Sequence, residues 1–158
     1  MRQTIILSKQ AFDSLTAGLS EIKGRTDDIL NGFLLRPASE VNEVKRVLND
    51  YVHQLDGMIR SIITSDSASD EFPYAIAGSE VVLEDTCCQA TYCYRLISPL
   101  KEKIDLHEIS FLSPMGQALL FKKVNDQFSV KAPGGEFVYK ILSVKIAVSP
   151  EDSLVDYV

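Results

Sequence analysis

Two acids, Glu40 and Glu43, have a spacing that would suit metal chemistry. Residues three apart on a helix lie on one face, so both carboxylates can point at the same ion. Mg²⁺ is a hard cation that seeks oxygen ligands, and paired carboxylates can help it activate water. Acids on an exposed helix are more often a solvated surface. The sequence favours the solvated surface here, and it predicts that the chain is not an enzyme and has no catalytic residue.

The histidines and cysteines give no pattern of metal ligands. His53 and His107 stand far apart in the sequence, and Cys87, Cys88 and Cys93 lack the spacing of a zinc site. Adjacent cysteines on a strand point to opposite faces. We therefore expect no metal and no cofactor. An odd number of cysteines is typical of a reducing compartment, so the expected location is cytoplasmic.

The charge and length of the chain limit its partners. The 158 residues carry a formal net charge of −6 and are 46% hydrophobic. Nucleic-acid phosphates attract Lys and Arg, so this acidic chain is not expected to bind a nucleic acid sequence directly. No run approaches the roughly 20 apolar residues of a membrane helix, and no membrane partner is expected. The composition predicts a packed protein of one domain or two small ones.

Apolar residues repeat every three or four positions in two consecutive segments. The first seam, with Thr26 filling one position, is Phe12, Leu15, Leu19, Ile22, Thr26, Ile29 and Phe33. The second contains Val41, Val44, Leu48, Tyr51 or Val52, Leu55, Met58 or Ile59, and Ile62. Pro37 separates the two segments, and a short connection makes the helices antiparallel. The pattern predicts a coiled-coil hairpin over residues 8–64 with Ser8 as its N-cap.

The connection between the two helices would form the tip of this hairpin. Leu34 and Leu35 are there either as an exposed apolar contact or as a cap over the hairpin core. Arg36 adds a cation beside them. Glu40 and Glu43 follow at the start of the second helix.

From residue 73 the pattern changes to short β-strands. Strands are predicted at 78–83, 90–97, 109–111, 127–132 and 137–146, mostly joined by short turns and so antiparallel. Ser113-Pro114 starts one short helix, with Ser as its N-cap. The polar stretch 64–71 separates the two patterns. The sequence thus predicts an α+β fold, with a helical hairpin and linker at 1–72 and a β domain at 73–158.

Residues 109–144 resemble the C-terminal domain of Gre-type transcription elongation factors. The matching pieces, in the order of that family, are Ser113-Pro114-Met115, Ala118-Leu119-Leu120, Lys123-Val124-Asn125-Asp126 and Ala132-Pro133-Gly134-Gly135-Glu136. The Leu112-Ser113-Pro114 stretch and the ending Pro150 … Asp156-Tyr157 are more similar to the Rnk branch, named for regulation of nucleoside diphosphate kinase. The resemblance implies an FKBP-like β domain.

The resemblance also implies a partner and a mode of action. Gre-type factors bind RNA polymerase with the β domain at the rim of its secondary channel, and the hairpin enters that channel. By this likeness, the partner-binding residues are Leu112, Ser113, Pro114 and Met115. The hairpin-tip residues of this chain are Leu34, Leu35, Arg36, Glu40 and Glu43.

The tip distinguishes between the functions that the family offers. Cleavage-stimulating Gre factors carry an Asp-x-x-Glu-Asn/Ser motif at the tip, which helps to hold Mg²⁺. Here Glu40 and Glu43 repeat the acid spacing, but they fall within the second helix and lack the Asn or Ser that follows. We expect a monomer that binds RNA polymerase and regulates elongation without cleavage chemistry. The alternatives are a cleavage-stimulating Gre factor and an FKBP-like prolyl isomerase. The chain lacks the Trp usual in an isomerase pocket.

Overall fold

A computed structural model describes residues 4–100 and 105–147, and every structural statement below concerns these residues. The helices are α1 (Lys9–Gly24), α2 (Thr26–Asn31), α3 (Ala38–Ile59) and α4 (Pro114–Leu119). The strands are β1 (Ile5–Leu7), β2 (Ile62–Thr64), β3 (Ser79–Asp85), β4 (Thr91–Ile97), β5 (Glu108–Ser110), β6 (Gln127–Ala132) and β7 (Gly135–Ile146). The α+β class and the N-terminal helical hairpin predicted from the sequence are confirmed.

The hairpin buries the middle of both predicted seams. Its buried side chains are Ala11, Leu15, Leu19, Ile22 and Ile29 on the first arm and Val44, Leu48, Tyr51 and Leu55 on the second. Ser8 caps α1 as predicted, because its hydroxyl accepts a hydrogen bond of 3.1 Å from the Ala11 N–H. A salt bridge of 2.7 Å between Lys23 and Asp56 joins the two arms at the surface.

The first arm of the hairpin is interrupted at Arg25. The apolar repeat in the sequence does not predict this break. Arg25 has φ −122° and ψ 24°, outside helical geometry, and α2 starts at the next residue. Gly24 has a low helix propensity. The Thr26 hydroxyl donates to the Ile22 carbonyl at 3.0 Å and so competes with the helical bond of its own backbone N–H. These two residues account for the break.

The predicted coiled coil extends too far at the C-terminal end of its second helix. The second helix ends at Ile59, and residues 62–64 form β2, which pairs in parallel with β1. Ile62, Ile63 and Thr64 are β-branched and therefore favour a strand. Ile5–Leu7, a second short apolar run, supplies the partner. Helical periodicity had extended the seam over Ile62 because one matching position cannot distinguish the two structures.

The β domain is a five-stranded sheet in the order β5-β4-β3-β7-β6. All neighbours are antiparallel except β4 and β5, which pair in parallel from Arg95↔Glu108 to Ile97↔Ser110. The expectation of a wholly antiparallel sheet is therefore corrected at this edge. Residues 98–107 connect β4 to β5, a connection longer than a hairpin turn, which lets the chain return in the same direction.

One hydrophobic core joins the hairpin base to the sheet. The ring of Tyr51 on α3 lies edge-on to Phe111, with ring centroids 4.9 Å apart, and 5.5 Å from Phe121. The Tyr51 hydroxyl accepts a hydrogen bond of 3.0 Å from the Ala77 N–H. On the other arm the Ser14 hydroxyl donates to the Ala147 carbonyl at 3.2 Å. These contacts fix the base of the hairpin, and the tip extends beyond them.

Candidate functional site

The hairpin tip projects away from the contacts with the sheet. Glu40 precedes Tyr51 by eleven residues, roughly 16 Å along a helix at 1.5 Å per residue. Backbone hydrogen bonds from an N–H to the carbonyl three residues earlier stabilise the turn, including Gly32 to Ile29 and Arg36 to Phe33. Pro37 is the N-cap residue of α3, and the helix itself begins at Ala38. The tip is thus a hydrogen-bonded turn on a projecting arm.

Both leucines of the tip are exposed to solvent. Leu34 is 73% exposed and Leu35 fully exposed, at 102%. Of the two interpretations given above, a cap over the hairpin core does not fit these values. Phe33, half-buried against the core, lies where such a cap would be. The two leucines therefore form an exposed apolar surface.

Each glutamate of the tip is paired with an arginine. Arg46 holds both carboxylate oxygens of Glu43, with its Nε 3.2 Å from one of them. This hydrogen bond lowers the pKa of Glu43 below its ordinary value. Glu40 lies 3.8 Å from Arg36 in a looser, exposed ion pair. A carboxylate with an arginine partner has part of its charge neutralised, which weakens its attraction for Mg²⁺.

The predicted docking residues lie at the start of α4. The Ser113 hydroxyl accepts from the Gly116 N–H at 3.0 Å and donates to the Ser110 carbonyl at 2.7 Å, so it caps the helix as predicted. Pro114 is exposed, whereas Leu112, Ser113 and Met115 are half-buried. The stretch thus presents a fixed, partly apolar surface.

A glycine holds this surface against the sheet. A Cβ on Gly116 would stand 2.0 Å from the Ser110 oxygen and 2.7 Å from the Phe111 Cα. No other residue fits there without moving the backbone. Gly116 was not singled out from the sequence, where its position after Ser-Pro-Met gives no sign of the close approach.

The tip and the docking stretch remain separate surfaces. The tip is the turn between α2 and α3, whereas the docking stretch begins α4. Phe111, immediately before Leu112, packs on Tyr51 and so joins the docking stretch to α3. Sequence reasoning placed Tyr51 or Val52 at this seam position without finding this link. A tyrosine among aliphatic seam residues was the available signal, because a buried hydroxyl needs a partner.

The other chemically interesting residues stay scattered. His53, His107, Cys87 and Cys88 are exposed, and Cys93 is half-buried. Within residues 4–100 and 105–147, no group of three or more His, Cys, Asp or Glu is placed to hold a metal ion. In the same part of the chain, no helix is both long and apolar enough to cross a membrane. The Pro150 … Tyr157 ending lies outside the described residues.

The fold therefore defines a class: a projecting helical hairpin on a sheet domain with an exposed Ser-Pro helix start. A protein-family model described as "Transcription elongation factor, GreA/GreB, C-term" matches residues 74–146. "Transcription elongation factor GreA" of Halorhodospira halophila is 31% identical over 104 residues, 65% of this chain and 66% of that protein. The same-named protein of Thermosipho africanus is 24% identical over 92% of this chain and 99% of its own length.

Residues 74–146 thus carry the C-terminal domain of the Gre-type elongation factor family. Among solved structures, "Prokaryotic transcription elongation factor GreA/GreB from Nitrosomonas europaea" has 20% identity and a TM-score of 0.48, covering 90% of this chain and 99% of that one. The "transcription factor Gfh1" structure has 20% identity and a TM-score of 0.42, covering 91% and 99%. The nearer likeness to the Rnk branch remains a prediction.

The relatives correct one expectation. The sequence predicted that the chain is not an enzyme, but several relatives are named GreA. In the Gre resemblance given above, such factors stimulate transcript cleavage as accessories to the polymerase. A factor can therefore take part in catalysis without an active-site motif of its own. The prediction that the chain is not an enzyme is wrong.

Proposed function

We propose that this chain is an RNA polymerase-binding elongation factor. It docks at the rim of the secondary channel through Leu112, Ser113, Pro114 and Met115, and it places the hairpin tip in the channel. The observation that carries the proposal is the tip with two exposed leucines, on a chain that carries a GreA/GreB-type domain. We further propose that the hairpin with its linker and the β domain divide at residue 72, and that the protein acts in the cytoplasm as a monomer.

The tip supports regulation of elongation without cleavage chemistry. Its end presents apolar side chains and Arg36, and its two glutamates are each paired with an arginine. A tip of this kind makes contact with the channel wall and occupies space there. The second candidate is stimulation of transcript cleavage, favoured by the relatives named GreA and by the shared face of Glu40 and Glu43.

A pull-down with core RNA polymerase tests the docking surface. Pro114 is exposed at the start of α4, so Pro114→Arg should fold normally and weaken binding by adding bulk and charge at the contact. The matched control is Ser129→Arg, which adds the same charge at an exposed position of β6 and should bind like the parent. Equal binding by all three proteins would mean that another face is used.

Backtracked complexes of the cognate polymerase distinguish the two candidate functions. Regulation without cleavage predicts no acceleration of cleavage and competition with a cleavage-competent Gre factor. Cleavage that accelerates and is lost in a Glu40→Ala/Glu43→Ala double variant would establish the second candidate instead. An Arg36→Ala/Arg46→Ala variant is the matched control, because it removes the arginine partners and leaves both carboxylates.

A further inference from the structure

The register of the sheet places three tyrosines on one face. On β4, Tyr92 and Tyr94 have ring centroids 6.1 Å apart and ring planes 21° from parallel. Tyr92 pairs with Leu83 of β3. Tyr139 of β7 pairs with Asp85, two residues further along β3. Paired residues, and residues two apart on one strand, point to the same face of a sheet. The aromatic cluster, as we call Tyr92, Tyr94 and Tyr139, therefore shares a face with Asp85.

The aromatic cluster lies at the edge of the hydrophobic core, so its rings reach solvent. Leu83 on the same face is fully buried. Tyr92 is 40% exposed, whereas Tyr94 and Tyr139 are half-buried. The ring of Tyr139 packs on Phe128, with ring centroids 5.7 Å apart, and is held in place by this contact. The cluster thus offers ring surface that a partner can still cover.

Asp85 adds a negative charge to this surface. One of its carboxylate oxygens accepts a hydrogen bond of 2.9 Å from the Cys87 N–H, which fixes the side chain at the end of β3. The pKa of Tyr139 is raised above its ordinary value, chiefly by burial and further by the negative charge of Asp85. The carboxylate therefore acts electrostatically on the aromatic cluster, although it is itself largely buried.

The cations of the neighbouring strands lie on the opposite face of the sheet. Residues alternate between the two faces along a strand, so Glu80 and Glu84 point away from the face of Asp85. These two glutamates pair with every Lys or Arg of β4 and β7, namely Arg95, Lys140 and Lys145. Within residues 4–100 and 105–147, Asp85 takes part in no salt bridge. The charge of Asp85 is thus left for a partner to neutralise.

An arginine side chain has the chemistry that this surface fits. A cation over the face of a tyrosine ring is attracted by the electrons of the ring, and a nearby carboxylate adds a direct attraction. The planar guanidinium of arginine stacks on aromatic rings and is less strongly hydrated than the ammonium of lysine, so it loses less on leaving water. We propose that the aromatic cluster and Asp85 bind an arginine side chain of a partner protein.

This proposed site does not depend on the docking residues 112–115. Ser110, which precedes them, pairs with Ile97 at the far end of β4. Ile97 lies five residues from Tyr92, roughly 17 Å along a strand at about 3.3 Å per residue. Binding of arginine can therefore be tested with the chain alone, without RNA polymerase. A failure of that test would leave the proposed function standing.

An NMR titration of the isotope-labelled full-length chain tests the proposal. The probe is the blocked peptide Gly-Ser-Arg-Ser-Gly, compared with peptides that carry citrulline or lysine in place of arginine. Citrulline has the shape of arginine without its charge. We expect the arginine peptide to shift the amide signals around Tyr92 and Tyr139, the lysine peptide to bind more weakly, and the citrulline peptide not to bind. A lysine or citrulline peptide that binds as tightly as the arginine peptide, or signals that move only elsewhere, would overturn the proposal.

Asp85→Asn and Glu84→Gln form a matched pair of charge variants. Each removes one negative charge and keeps the size of the side chain, but the two residues face opposite sides of the sheet. Asparagine can still accept the hydrogen bond from the Cys87 N–H. Asp85→Asn should weaken binding of the arginine peptide about two- to fivefold, and Glu84→Gln should leave it nearly unchanged. Equal weakening by both variants would indicate a general attraction to an acidic chain and contradict the proposed site.

Tyr92 provides a second test through its ring. Tyr92→Leu removes the ring and should weaken binding of the arginine peptide about two- to fivefold, as expected of an exposed cation–π contact. Tyr92→Phe keeps the ring and should bind nearly as the parent does. Both variants should fold, because the side chain is 40% exposed, and the dispersion of the NMR signals checks this. A Tyr92→Leu variant that binds the arginine peptide like the parent would refute a contact with the aromatic cluster.

Discussion

The hydroxyl of Tyr51 allows the junction between hairpin and sheet to be tested with a single atom. Tyr51 is 2% exposed, and its hydroxyl accepts from the Ala77 N–H at 3.0 Å. The Tyr51→Phe variant keeps the ring and its contacts with Phe111 and Phe121, and removes the hydrogen bond alone. A hydrogen bond of this kind contributes about 0.5–1.5 kcal/mol, and leaving its partner unsatisfied costs about 1–3 kcal/mol.

We expect Tyr51→Phe to lower the free energy of unfolding by about 1–2 kcal/mol, since Ala77 is only partly buried and water replaces some of the loss. For a chain of this length that corresponds to a fall in Tm of roughly 2–8 °C. Urea denaturation at neutral pH measures it. The control is Tyr92→Phe, at a side chain that is 40% exposed. A loss below about 0.5 kcal/mol, the range of surface substitutions, would refute the reasoning.

The same variant predicts a change at alkaline pH. Burial raises the pKa of the Tyr51 hydroxyl, against the smaller effect of the Ala77 N–H, which lowers it. A raised pKa means that the stability is complete below the unfolded-state pKa of about 10 and is lost as the pH rises above it. The parent should therefore lose stability above about pH 10 faster than Tyr51→Phe, and their difference should narrow. A difference that stays constant with pH would contradict the burial of this hydroxyl.

Three further substitutions test the β domain and the tip. Gly116→Ala should destabilise by about 1–3 kcal/mol or more in urea denaturation, because the Cβ would overlap the Ser110 oxygen. Gly18→Ala, with open space, is its control and should gain about 0.5–1 kcal/mol. Ser113→Ala should cost about 1 kcal/mol through loss of the α4 cap, and Ser113→Asn should restore most of it. Leu35→Asp should leave the free energy of unfolding within about 0.5 kcal/mol of the parent and reduce the effect on elongation; a change in unfolding alone would contradict a contact role for the tip.

Periodicity predicted the elements well where one face of each is buried. Strand β6 was expected at 127–132 and lies at Gln127–Ala132, because alternating residues such as Phe128 point to the core. The Ser113-Pro114 start of α4 was equally clear from cap chemistry. The break at Arg25 and the strand at Ile62–Thr64 were not, since each depends on a competing local interaction rather than on a repeat. Pairing of β5 in parallel depends on a long connection, which no periodicity encodes.

The sequence proposed residues for the candidate site but could not give their geometry. The docking residues were proposed by resemblance and stay a prediction, whereas the arginine partners of Glu40 and Glu43 depend on side-chain positions along the first turns of α3, which the sequence does not give. The exposure of Leu34 and Leu35 was left open by the sequence, because the same two leucines fit either a cap or a contact.

The packing of Phe111 on Tyr51 connects the two proposed contacts, the docking residues 112–115 and the hairpin tip. Leu112 follows Phe111 directly, and Phe111 is fully buried with its ring edge-on to Tyr51 of α3. A partner that holds Leu112–Met115 therefore also holds the residue on which α3 rests. From Tyr51, α3 runs without a break toward Ala38, so its direction fixes where the tip lies. Interiors packed as closely as this one do not deform continuously. We therefore predict that a partner docked at α4 also receives the tip in a fixed direction, because rotating the hairpin away would require Tyr51 to leave both Phe111 and the Ala77 N–H.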